Sequence, residues 1–178
     1  MGNVLTDAMR ESTGSDIAVE NSGSIRKGIM KGNITLKSIH DVLPFNTYLV
    51  TMELTGKDIK DLLEISAATH DSLQVSGLTM TVNYSKPPGK RVSDIKIQNK
   101  PLETEKNYRV SSEDFLAPGS TEYTSFSSGK NITSGEATVD ALKSYIKHHS
   151  PITSDTARIE GRIKFINNYA LSRWMLQK

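Results

Sequence analysis

Asp16-Ile17-Ala18-Val19-Glu20-Asn21-Ser22-Gly23-Ser24-Ile25-Arg26 is the stretch from which the fold is best read. Ile17-Ala18-Val19 is a short apolar run of the kind that forms a buried strand. Small residues follow at once, and Gly23 lets a ligand approach the backbone closely. Asn21 offers an amide that both donates and accepts. Arg26 offers a permanent cation with a planar fork of donors. An amide, a glycine turn and a guanidinium at a strand end suit a ligand bearing phosphate or sugar. The same residues also suit a plain strand end, a turn and a surface arginine.

Outward from this stretch, strands and helices interleave irregularly. Val4, Leu5, Ala8 and Met9 fall at helical spacing and predict an amphipathic helix over 2–13, ended by Gly14. Thr35 is placed to cap a short helix over 38–42, which stops before Pro44. Alternation predicts a strand over 48–54, and Ile59, Leu62, Leu63 and Ile65 predict a helix over 57–68. Further strands are expected over 73–75, 78–84, 92–97 and 108–111, with turns at 87–89 and 99–101. The Ser-, Thr- and Gly-rich segment 119–134 reads as a loop. Ser134 reads as the cap of a helix over 136–147. Short turns between strands favour an α+β class, with mixed β-sheet layers packed by helices, over a uniform parallel α/β repeat.

The chain has 178 residues, enough for one domain with a core that needs no staples. The formal net charge of +2 gives no reason to expect nucleic acid or a membrane surface as partner. Cysteine is absent, which removes disulfide and thiolate chemistry and leaves the compartment open. No apolar run reaches transmembrane length, and the N-terminus lacks the pattern of a secretory signal.

Several motifs occur in a fixed order. They are Gly2-Asn3 with Asp7-Ala8-Met9, Asn21-x-Gly23-x-Ile25-Arg26, Gly32-Asn33-Ile34-Thr35, Leu43-Pro44-Phe45 and Leu54-Thr55-Gly56. Leu73-Gln74-Val75-Ser76-Gly77, Pro88-Gly89-Lys90-Arg91-Val92, Tyr108-Arg109-Val110 and Phe115-Leu116-Ala117-Pro118-Gly119 follow. In this order they resemble the C-terminal, substrate-binding domain of the 5'-nucleotidase / 2',3'-cyclic-nucleotide phosphodiesterase family. The resemblance covers roughly residues 2–165 and implies that family's fold. Residues 166–178 fall outside the pattern as a tail or as a peripheral helix with Leu171, Trp174 and Met175 on one edge.

In that family the domain clamps the nucleoside part of a nucleotide between two phenylalanines, which the resemblance assigns to Phe45 and Phe115. Stacking a base on an aromatic face is worth about 1–3 kcal/mol and tolerates different bases. Core packing is the alternative role for both rings. The resemblance further implies that Asn21 and Gly23 border the nucleoside, that Arg26 meets ribose or phosphate, and that Asn46 reaches the base. Gly77 is assigned a close approach to the base, with a strand bulge as the alternative. Thr121 stands where the family has an aspartate that accepts from ribose hydroxyls, and Glu122 is the nearest carboxylate. A neutral acceptor bonds about half as strongly.

No catalytic constellation is visible. The family hydrolyses phosphate esters in a separate N-terminal metallophosphatase domain holding two divalent metals, and none of that domain's motifs occurs here. The histidines stand at 40, 70, 148 and 149. His148-His149 suits a helix C-terminus better than a metal. Asp58 and Asp61 read as a solvated helix face. Three functional readings follow. The first is a nucleotide- or nucleoside-recognition domain of a 5'-nucleotidase-like hydrolase without its metal domain. Such a chain is inactive alone, needs no cofactor of its own and belongs to an extracytoplasmic parent protein. The second is a non-catalytic binding or interaction module with a degenerate nucleotide site. The third, a self-contained enzyme, predicts phosphatase activity with added manganese or zinc.

Overall fold

The computed structural model describes residues 1–69, 73–117, 122–153, 155, 157 and 159–166. Its elements run α1 (Gly2–Thr13), β1 (Ile17–Glu20), α2 (Leu36–Val42), β2 (Tyr48–Thr55) and α3 (Gly56–Thr69). After them come β3 (Gln74–Ser76), β4 (Leu78–Asn83), β5 (Val92–Ile97), β6 (Lys100–Pro101), β7 (Asn107–Glu113), β8 (Lys130–Ala137), α4 (Thr138–His149) and β9 (Ile163–Ile166). A five-stranded sheet has the order β3-β1-β7-β2-β8, and a four-stranded sheet the order β6-β5-β4-β9. Both are mixed: β1 runs parallel to β7 and β4 parallel to β9, while the other pairs are antiparallel. The α+β expectation holds.

Strand parity divides the core in two. Ile17, Val19, Val50, Met52 and Leu54 share one face of the larger sheet with Ile59, Leu62 and Leu63 of α3 and with the apolar side of the smaller sheet. Ala18 and Leu49 point to the other face, against Leu5 and Met9 of α1, Val42 of α2 and Leu142 of α4. Side chains alternate at every step of a strand, so one strand feeds both cores. Each fully buried Leu or Met contributes about 1.5–3 kcal/mol.

Helix ends follow local rules. Gly14 closes α1 in the left-handed region at φ 60°. Thr35 and Ser38 form a reciprocal cap on α2. Asp58 is not part of a bare solvated face. It accepts from the Thr55 N–H and its own N–H donates to Thr55 Oγ1, which caps α3, while Asp61 pairs with Lys57 at 3.1 Å. His149 ends α4, stacks on Tyr145 with ring centroids 4.1 Å apart and sits 2.9 Å from Glu11.

Several expectations need correction. The segment read as a loop over 119–134 contains a 3₁₀ turn, Thr124–Ser128, and most of β8. Phe126 is fully buried beneath that turn, and β8 survives its polar composition because it is an edge strand with solvent on its outer side. Ser134 pairs with Val50 inside β8 and caps nothing; α4 starts later, at Thr138. The turn near Asn99 occupies Gln98-Asn99, both at positive φ (49° and 65°), and Lys100–Pro101 already belong to a strand. Two such residues close a tight hairpin whose twist matches the strands. β9 has no counterpart among the sequence expectations and carries Phe165 and Ile166 beside β4; of the tail or peripheral helix expected over 166–178, Ile166 belongs to this strand and 167–178 lie outside the described residues.

Gly77 joins β3 to β4 at φ 77° and packs against the Asp16 backbone, where a Cβ would drive into the Asp16 carbonyl oxygen. Gly77→Ala is expected to destabilise the domain by more than about 1 kcal/mol, read as a lowered urea midpoint at unchanged m-value.

Candidate functional site

Three chain segments meet at one end of the larger sheet because of how its central strands run. β1 and β7 are parallel, so the turn after Glu20 and the loop after Glu113 leave from the same end. β2 is antiparallel to β7, so the loop that precedes it arrives at that end too. Crevices beyond the carboxyl ends of parallel strands are the usual ligand sites of open sheets. Here a cleft of about 440 Å³ is lined by Asn21, Gly23, Phe45, Asn46, Glu113 and Phe115, with Ser24 and Thr47 completing the wall.

The two rings are held outward by buried neighbours. Leu116 and Ala117 enter the core, and both of their N–H groups donate to the Glu113 carbonyl, at 3.0 Å each. Phe115, one residue earlier, is left 56% exposed. Leu43 is likewise buried, while Phe45 is 50% exposed. Core packing, the other role open to these rings, is thereby excluded for both.

Arg26 does not line the cleft. Its Nη1 donates to the Gly23 carbonyl at 3.1 Å, so it braces the turn from outside, and it has no carboxylate partner among the described residues. Gly77 is not brought to the cleft either. β3 runs antiparallel to β1, with Glu20 opposite Gln74 and Ala18 opposite Ser76, so Gly77 falls at the far end of the sheet. It borders a separate groove of about 490 Å³ with Arg10, Lys96 and Arg162. Its assignment beside the base is therefore corrected: the glycine is needed for its φ and for its packing on Asp16. Glu122 is exposed and is not among the cleft residues, and Thr121 lies outside the described residues.

Sequence reasoning missed the floor of the cleft. Glu20 and Glu113 end β1 and β7, and the parallel register Ala18↔Ser111, carried two residues on, sets them side by side. Both are buried, at 0% and 1% exposure. Ser24 Oγ donates to Glu20 Oε1 at 2.7 Å, and the Asn21 N–H reaches the same oxygen at 3.0 Å. Burial pushes the Glu20 carboxyl well above the usual range and repulsion from Glu113 adds to this; the bonds from Ser24 and Asn21 oppose it. Burial also raises Glu113, against the hydroxyls of Thr47, Thr138 and Ser24, and Asp114 raises it further. An acidic residue closing an apolar run reads as solvent-facing. Only the pairing of two distant strands reveals a buried carboxyl pair.

No group of three or more His, Asp or Glu side chains among the described residues can hold a metal ion. The two metals implied by the resemblance have no seat in these residues. No helix among the described residues is long and apolar enough to cross a membrane.

Comparison with known proteins decides the family. A profile described as "5'-nucleotidase, C-terminal domain" matches residues 1–128. The chain belongs to the 5'-nucleotidase C-terminal domain family. It is 33% identical to the trifunctional nucleotide phosphoesterase protein YfkN of Bacillus subtilis (strain 168), over 92% of this chain and 12% of that protein. It is 28% identical to protein UshA of Escherichia coli (strain K12), over 93% of this chain and 30% of that one. Among solved structures, the 5'-nucleotidase precursor from Thermus thermophilus superposes with a TM-score of 0.80 at 31% identity, over 93% of this chain and 35% of that chain. The chain thus spans about a third or less of the length of these proteins.

The carboxyl pair has a consequence for stability. A carboxyl raised in the folded state keeps a proton that the unfolded chain releases, so its stabilising effect is fullest in acid. That effect is lost as pH rises from the ordinary carboxylate range through the raised value. Glu20→Gln is expected to flatten this fall and to be more stable than the parent at about pH 8, measured by urea unfolding at a series of pH values.

Proposed function

We propose that this chain is the nucleoside-recognition domain of a 5'-nucleotidase-like metallophosphoesterase. The observation that carries the reading is the pair of half-exposed rings, Phe45 and Phe115, lining one cleft with Asn21, Gly23 and Asn46. A volume of about 440 Å³ suits a nucleoside-sized ligand. The rings supply sequence-tolerant stacking, and the amides supply directional hydrogen bonds to base or ribose. Arg26, one hydrogen bond behind Gly23, brings a cation to the phosphate side. Names such as nucleotide phosphoesterase and 5'-nucleotidase among the relatives support the substrate class.

Hydrolysis belongs in this reading to an N-terminal metallophosphatase domain of the parent protein, which holds the two divalent metals. This domain delivers the nucleotide to them. The parent protein works outside the cytoplasm, in keeping with the extracytoplasmic setting implied by the family resemblance. By itself the chain supplies part of a cleft and binds weakly. It releases no phosphate from AMP, with or without added manganese or zinc; a colorimetric phosphate assay checks this.

Calorimetric titration with adenosine and AMP tests the binding role. Phe45→Ala and Phe115→Ala are each expected to weaken adenosine binding about tenfold or more. Phe165→Ala, whose ring stacks on Tyr84 with centroids 6.1 Å apart, leaves it unchanged. Equal affinity in all three variants would overturn the stacking assignment. No binding by the parent chain would favour the non-catalytic module.

A further inference from the structure

The polar atoms on the floor of the cleft do not balance if both glutamates are ionised. Ser24 Oγ lies 2.7 Å from Glu20 Oε1, 2.9 Å from Asn21 Oδ1 and 3.4 Å from Glu113 Oε2. All three oxygens then accept, and a hydroxyl has one hydrogen to give. Glu20 Oε2 and Glu113 Oε1 are buried and without a hydrogen-bond partner among the described residues. Neither carboxylate is in an ion pair among those residues. Two uncompensated charges side by side in a buried site are strongly unfavourable.

One proton on Glu20 Oε1 supplies the second hydrogen that the Glu20–Ser24–Asn21 contacts require. The acid O–H donates to Ser24 Oγ, and the Ser24 hydrogen is released to Asn21 Oδ1. That bond fixes which end of the amide faces which way. Asn21 Nδ2 then occupies the space that a side chain at Gly23 would enter, on the wall of the cleft. The remaining charge falls on Glu113, where the hydroxyls of Thr47 and Thr138 favour it and Asp114 opposes it. Thr138 opens α4, whose N-terminal dipole also favours an anion. Glu20 faces Glu113, Ser24 and the Asn21 N–H, with no cation among them.

We propose that Glu20 and Glu113 hold one proton between them at neutral pH, and that Ser24 relays it into the orientation of the Asn21 amide. The cleft then presents an N–H donor to an acceptor on the ligand only while that proton is bound. When Glu20 ionises, the Ser24 hydrogen turns to the carboxylate, and Asn21 Oδ1 loses its donor. Glu20 and Ser24 are positioning residues in this scheme. Its consequence for ligand binding rests on the nucleoside reading above, whereas the proton relay itself does not.

The test follows the Asn21 side-chain amide and the Glu20 and Glu113 carboxyl carbons by NMR in the ligand-free protein, from about pH 5 to about pH 9. The Asn21 amide signals are expected to shift together with the Glu20 carboxyl. Ser24→Ala should abolish the amide response. Adenosine affinity should fall about fivefold over the same range, the loss of one hydrogen bond. Glu20→Gln, a permanent donor to Ser24, should hold the acid-side affinity throughout. Asn21 signals that stay still while Glu20 titrates would overturn the relay, as would a Glu20 already ionised at about pH 5. Signals that answer to added sodium or calcium at fixed pH would overturn it too, making the pair a cation site. Absence of adenosine binding at every pH would defeat the nucleoside reading and leave the ligand-free titration to decide the relay.

Discussion

The parallel pairing of β1 with β7 is the constraint on which the rest of this structure depends. Residues 17–18 meet residues 110–111 across more than ninety positions of sequence, and only two chain segments pass through the centre of the sheet in the same sense. Everything built at the cleft end inherits from that pairing. The turn that carries Asn21 and the loop that carries Phe115 leave side by side, and the antiparallel β2, on the other side of β7, brings the Phe45 loop to the same end. The same pairing sets two glutamates shoulder to shoulder under the cleft.

Anchoring and exposure are coupled at single-residue resolution. Leu43 and Leu116 are buried, and each lies within two residues of an exposed phenylalanine. Burying a leucine is worth about 1.5–3 kcal/mol, enough to hold a short loop in one conformation. The exposed ring therefore comes pre-positioned, which lowers the ordering entropy that the proposed stacking would cost. At the far end of the sheet the requirement is different: Gly77 keeps its place because the Asp16 backbone leaves no room for a side chain.

Buried polar groups give this cleft a character that its aromatic walls do not suggest. Glu20, Ser111 and Glu113 keep hydrogen-bonding atoms in the interior without a partner among the described residues, at the cost that such groups carry. Arrangements of this kind cluster where a protein binds or switches, and here Glu113 lines the cleft with Glu20 beside it.

Local chemistry made much of the fold legible. The apolar spacing of α1 and α3, the Thr35 cap, Gly14 as a stop and the alternation of β2 all report on neighbours a few residues away. The short motifs identified the family and named Asn21, Gly23, Phe45, Asn46 and Phe115, which the tertiary structure gathers into one cleft. Polar β8 was unreadable because an edge strand needs no apolar pattern, and Gly77 was misplaced because its neighbourhood depends on the direction of β3. What the sequence determined alone was the helices, the apolar strands and their motifs, since helix period, caps and turns are set by contacts within a turn or two of chain. The meeting of Glu20 with Glu113, and the cleft above them, were decided only by tertiary structure. Strand order and direction are fixed by the packing of remote apolar faces, and no local pattern records which strands become neighbours.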